Sequence, residues 1–242
     1  LGSSLNYLSN IEINDHGDLR IYSGECNINI NSPKSVYLSV ALSGWGKVGS
    51  ARAATRVISN VFKDKSVDVL FFFGVAGAID SNLKQGDIVV ASKLVQHDMD
   101  ARPIFNQYVI PTLNQKILSA DLKLVDWSSS ILNEANLKEF GSIKTGLIAT
   151  GDKFVSKENE VKKLKDDFKD LLGVEMEGAS VAQVSIQENI PWQIVRVISD
   201  SANNSSQNDF ETFLKIYKKY SSKIIKVFIE NIFNSPLNKF TE

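Results

Sequence analysis

The chain has 242 residues, 43% of them apolar, and a formal net charge of -1, enough for a sizeable core in one α/β domain spanning residues 1–242. With no acidic or basic tail, the electrostatics point away from nucleic acid and membrane surfaces and toward a small neutral ligand, and no apolar stretch reaches the length of a membrane span. A single cysteine, Cys26, excludes an internal disulfide and leaves the redox compartment open.

In chain order, Arg20 to Ser23 and Asn27 to Ile30 read as paired strands around the turn residue Gly24, and Val36 to Leu42 alternates as a strand should. Ser43 to Phe62 passes through a glycine loop into an Ala-rich helix. Val67 to Phe73, "VDVLFFF", is nearly continuous in apolar residues, as a parallel strand covered on both faces requires, and it runs into Gly74-Val-Ala-Gly-Ala78. Asp87 to Leu94 and Ser142 to Thr150 are further strands. Lys157 to Phe168, Glu177 to Glu188 and Phe210 to Phe233 have helical spacing. Strands alternating with helices predict a mostly parallel sheet that collects ligands at the carboxyl ends of its strands.

Such a sheet opens the loops after Leu42, Phe73, Thr150 and Ile198 onto one edge. Gly44, Gly46, Gly74 and Gly77 there let backbone amides approach a ligand, although glycine turns of this kind serve folding as readily. Phe154, after a strand, reads either as core or as a stacking surface for a planar ring. Two segments carry acids in unexpected places. "GVEMEGAS", Gly173 to Ser180, sets Glu175 and Glu177 where an apolar run gives way to a helix, and "QIVRVISDS", Gln193 to Ser201, carries Arg196 inside a strand and ends in an acid. Glu175 and Glu177 could simply oppose the macrodipole, and Asp200 could cap or turn the chain. Together, a glutamate and an aspartate at the mouths of adjacent strands make a distinctive pair. One carboxylate can accept both hydroxyl protons of a vicinal diol, and a protonated one can donate to a leaving-group nitrogen.

The motifs "GVAGAIDSNLKQGDIVV", "QHDMD", "ATGDKFV", "GVEMEGASVA" and "VRVISDSAN", in that order from about Ile21 to the C-terminal helix, resemble those of methylthioadenosine/S-adenosylhomocysteine nucleosidases in the nucleoside phosphorylase superfamily. The resemblance implies a single-domain, three-layer αβα fold with a mixed, mostly parallel central sheet. It also implies hydrolysis of the N-glycosidic bond of adenosine thioethers in methionine salvage, without a metal or organic cofactor, by a homodimer; a cytoplasmic location is the default expectation, with export left open by the missing N-terminal segment. Carried across by motif, Glu177 holds the ribose hydroxyls with Met176 against the sugar, and Asp200 donates toward adenine N7 with Ser199 orienting it. Phe154 stacks on the base, the Val155 backbone reads its edge, and Arg196 steadies Glu177 and the water network. Phe210 covers the alkylthio group, while Trp45, Val75, Ala76 and Gly77 line the pocket. Phe105, Tyr108 and Pro111 belong to a loop expected to reach the partner's site.

Three departures stand out against that family. Nothing before Ile21 matches its first strand and water-activating acidic turn, so a further N-terminal segment is expected ahead of Leu1. Val75 replaces a serine, and Trp45 replaces a smaller aliphatic residue. A purine nucleoside phosphorylase is the nearest alternative, but Phe72 and Val75 stand where such enzymes place a phosphate-binding arginine and serine. A futalosine-type nucleosidase and a non-catalytic adenosine-binding protein are the other readings.

Overall fold

The computed structural model describes Leu5 and residues 7–26, 36–202 and 206–237. Its first unit is a three-stranded antiparallel sheet, β1 (Ser9–His16), β2 (Leu19–Cys26) and β3 (Val36–Ala41). The hairpin partner of Arg20 to Ser23 is therefore β1, and the turn lies at Gly17, where φ is +67°. Gly24 sits inside β2, opposite Leu38, and a Cβ there would lie 2.8 Å from the Ser9 carbonyl oxygen. It marks a close backbone approach and not a turn. The strand expected over Asn27 to Ile30 lies outside the described residues.

Helix α1 (Gly46–Ile58) follows, then the larger sheet, ordered β6-β5-β7-β8-β4-β9 with β5 also pairing β9. Its strands are β4 (Leu70–Ala78), β5 (Ile88–Gln96), β6 (Leu118–Ser119), β7 (Ile143–Thr150), β8 (Leu171–Glu175) and β9 (Trp192–Asp200). The β4–β9, β5–β7 and β7–β8 pairings are parallel; β5–β9, β4–β8 and β5–β6 are antiparallel and short. The sheet is thus mixed, with its long ladders parallel. Every residue of β9 is buried, which accounts for Ile194, Val195, Val197 and Ile198 and makes the charge of Arg196 among them the exception.

Gly74 to Ala78 do not leave the sheet as a loop; they extend β4, pairing Val75 with Val197 and Ala76 with Ile198. The remaining α-helices of five residues or more among the described residues are α2 (Leu122–Glu134), α3 (Glu158–Asp167), α4 (Gly178–Gln187) and α5 (Ser206–Asn231), the last followed by a short 3-10 turn (Ile232–Asn234). Helix α2 and strand β6 have no counterpart in the sequence reading, although "DLKLVDWSSSILNE" carried the signal. Asp121 caps the helix by accepting the amides of Lys123 (2.8 Å) and Leu124 (3.2 Å), and Leu124, Val125, Ile131 and Leu132 form its buried stripe. Helix α1 packs on α4, where the Ser50 and Ser180 hydroxyls meet at 2.7 Å in a buried contact. The main core gathers around Val89, Val90, Ile148, Ile194 and Ile198.

Candidate active site

The carboxyl ends of β4, β8 and β9, the glycine loop before α1 and the first half of α5 enclose a cavity of about 400 Å³. At its floor lies the answer to the two acids of "GVEMEGAS". Helix α4 starts with unsatisfied amides, and Glu175, the last residue of β8, reaches forward to accept them: Glu177 N–H at 3.0 Å and Gly178 N–H at 2.7 Å. A Cβ at position 178 would stand 3.1 Å from Glu175 Oε1, so a glycine there lets the carboxylate in. Thr150 also donates its hydroxyl to Glu175 while accepting the Ala179 amide at 2.8 Å.

Because Glu175 serves the helix start, the Glu177 side chain is left for the cavity. It makes no capping bond to its own helix, and it accepts the Gly46 amide at 2.8 Å. Burial raises its pKa above the ordinary glutamate value, and the neighbouring negative charge of Glu175 raises it further; Arg196 and the Gly46 amide oppose both.

Arg196 is 1% exposed, and its charge is matched by Glu175, with Nη2 at 2.7 Å and Nε at 3.2 Å from one carboxylate oxygen. Its Nη1 donates to the carbonyl of Phe72 at 3.2 Å, and the guanidinium lies 4.3 Å from the centre of the Phe72 ring. Gly74 makes room for it, since a Cβ there would fall 3.1 Å from Nη1. The expected support of Glu177 by Arg196 is therefore indirect: the ion pair is with Glu175.

Asp200, 4% exposed at the end of β9, accepts the Ser199 hydroxyl at 2.7 Å on one oxygen and the Ala202 amide at 2.8 Å on the other. Gly77 faces it, and a Cβ at 77 would be 3.0 Å from Asp200 Oδ1. At the mouth, the Phe210 ring meets Trp45 at 5.8 Å and Phe154 at 5.7 Å, both edge to face.

Met176, Val155, Val75, Ala76 and Gly77 line the same cavity, as do Gly44, Trp45, Gly74, Phe154, Arg196, Ser199 and Phe210; Gly46 lies just behind the wall, and the loop of Phe105, Tyr108 and Pro111 lies away from it. None of those three lines it. Tyr108 is buried within this chain, donating its hydroxyl to Asp167 at 2.6 Å and packing on Phe168 with ring centres 4.9 Å apart, which holds its ring in place. The sequence reading missed Leu214 and Lys218 in the wall, although they follow Phe210 at intervals of four on one helix face.

The two acids do not stand at neighbouring strand ends as expected: β4 lies between β8 and β9, and Glu177 and Asp200 face the same cavity from either side of it. A profile of the Phosphorylase superfamily matches residues 2–230, and the chain belongs to that superfamily. The match takes in the N-terminal hairpin, well before Ile21. Among curated relatives, a 5'-methylthioadenosine/S-adenosylhomocysteine nucleosidase of Buchnera aphidicola is 31% identical over 227 residues, covering 93% of this chain and 89% of that protein. The nucleosidase of Neisseria meningitidis, solved in complex with methylthio-immucillin-A, superposes with a TM-score of 0.81 at 26% identity, over 96% of each chain. The futalosine hydrolase of Helicobacter pylori does so with a TM-score of 0.80 at 29% identity, over 96% of this chain and 94% of that one.

Proposed function

We infer that this protein is an N-glycosidic hydrolase that cleaves methylthioadenosine and S-adenosylhomocysteine, releasing adenine and a thioribose. The observation that carries this reading is the division of labour between its acids. Glu175 is saturated by the helix start and Arg196, while the half-buried Glu177 and the buried Asp200 present their carboxyl groups to one cavity beside Phe154.

In this reading Glu177 accepts the ribose 2′ and 3′ hydroxyls, and its negative charge sits close to the oxocarbenium character that grows as the C–N bond breaks. Asp200 in its protonated form, oriented by Ser199, donates to adenine N7 and neutralises the departing base. Phe154 stacks on the base, Met176 packs on the sugar, and Trp45 and Phe210 close over the 5′ substituent. Glu175 holds the helix start and Arg196 in place, which fixes Glu177 two residues on. Attack by phosphate is disfavoured because the Arg196 charge is already matched and Phe72 and Val75 offer none, so a buried dianion would lie beside apolar groups.

The fuller form of the proposal is a cytoplasmic homodimer acting in methionine salvage, with Phe105 and Pro111 reaching the partner's cavity. A futalosine-type substrate is the second reading, favoured by the likeness to the H. pylori hydrolase. The test is release of the free purine base from each candidate nucleoside by the parent and by Asp200→Asn. The variant is expected to bind methylthioadenosine like the parent while its kcat falls by about 10²–10⁴; parent-like turnover would remove Asp200 as the general acid.

A further inference from the structure

Two loops that border the cavity, the one before α1 and the one after β7, are tied together by a charged network outside its lining. Gly46, which holds Glu177, is followed by Lys47, whose amide donates to Asp152 Oδ1 at 2.7 Å and whose ammonium donates to Asp98 Oδ1 at 2.7 Å. The second Asp98 oxygen accepts the Asp152 amide at 2.9 Å. Asp152 is thus gripped twice, by its side chain and by its backbone, and Phe154 lies two residues further on.

The backbone is shaped for this grip. Gly46 has φ of +81°, and a Cβ there would lie 2.9 Å from Asp152 Oδ1. Below the loop, a side chain at Gly151 would run into the His97 imidazole. Burial alone would raise the pKa of Asp98, but the Lys47 ammonium and the Asp152 amide outweigh it and hold the carboxyl below its usual range. Lys47 and Asp98 keep 19% and 30% side-chain exposure, so their pair is partly shielded from water. A surface ion pair of no consequence would sit further out and bridge nothing.

We propose that Asp152, held by Lys47 and Asp98, is a positioning residue that joins the Gly46 loop to the Phe154 loop, so that the ribose clamp and the base stack keep a fixed separation. This rests on the nucleosidase reading, in which Glu177 takes the ribose and Phe154 the base. None of Lys47, Asp98 and Asp152 lines the cavity, so their effect passes through the two loops.

The experiment measures adenine release from methylthioadenosine and from its 3′-deoxy analogue, for Asp152→Ala and Asp152→Asn, each in the parent and in the Glu177→Gln background. Asp152→Ala is expected to lower kcat/KM on methylthioadenosine by about tenfold, mostly through KM, with a smaller loss on the 3′-deoxy analogue. Asp152→Asn keeps an acceptor for the Lys47 amide and should come back to within about threefold of the parent. In the Glu177→Gln background, Asp152→Ala should cost less than about twofold, because the contact it supports is already weakened. Equal tenfold losses in both backgrounds and on both substrates, or an Asp152→Ala variant as active as the parent, would overturn the proposal. Should Asp152→Ala fail to fold, Lys47→Met carries the same comparison, with the same two results deciding it. Adenine release by the parent separates the two levels: without it the nucleosidase reading itself falls, and with it only the latch is at stake.

Discussion

At the floor of the cavity Glu175 accepts from Thr150, from two amides of the α4 start and from Arg196, and the Arg196–Glu175 side chains are 1% and 2% exposed. At the mouth, Trp45, Phe154 and Phe210 touch only by ring edges, and Trp45 is 68% exposed. The difference teaches which part of the site is fixed by folding and which is left to the ligand. Removing a partner at the floor strands a buried charge, whereas removing a ring at the mouth uncovers surface that water already reaches. The floor should therefore answer to stability measurements and the mouth to substrate affinity.

The harshest way to break this comparison is Arg196→Met, which leaves Glu175 charged and without its cation. Urea unfolding should show a loss of about 3–5 kcal/mol; a loss under about 1 kcal/mol would mean that the floor is no more rigid than the mouth. Phe154→Ala sharpens the other side. It should leave unfolding within about 0.5 kcal/mol of the parent and raise KM for methylthioadenosine about tenfold, as the loss of one ring stack of about 1.4 kcal/mol requires. A large drop in stability with unchanged KM would make Phe154 a core residue.

The smallest effect concerns Glu177, which belongs to both regions. Its native pKa is raised, so the folded state binds the proton more tightly than the unfolded chain does. Stability from this group is full at low pH and is lost as pH rises from the unfolded value, near 4.5, through the raised native one. Glu177→Gln carries no such penalty. Its melting temperature should match the parent's at about pH 4 and exceed it at about pH 8. A gap that stays constant with pH, or that reverses, would contradict the direction of the shift. Ribose binding should strengthen over the same window as the carboxylate ionises.

Much of this site was legible because its chemistry sits in short apolar strands that end abruptly in charge. The runs ending at Phe73, Thr150 and Asp200 announce buried strands, and charge inside or just beyond them needs a partner or a ligand. Spacing alone could not say which of Glu175 and Glu177 would be taken by the helix start; that depends on the room left by Gly178 and on Arg196 arriving from β9. The N-terminal hairpin was misread for a different reason. Gly24 has turn chemistry in isolation, and only the closeness of the Ser9 carbonyl explains a glycine within a strand, while Ile11 and Ile13 in β1 are too exposed to give a strong apolar alternation. Helix α2 escaped because polar Ser128, Ser129 and Ser130 interrupt its apolar stripe, though Ser128 is fully buried. The Lys47, Asp98 and Asp152 network joins residues 51 and 54 positions apart or more, a closeness that only the folded sheet creates.

The most direct test of the central claim is to identify the sugar product. The protein would be incubated with methylthioadenosine with and without inorganic phosphate, with adenine followed by absorbance and the sugar by mass spectrometry. Hydrolysis predicts adenine and free methylthioribose in equal amounts, at a rate that phosphate does not raise. A methylthioribose 1-phosphate product that appears only with phosphate, or no adenine at all, would contradict the account.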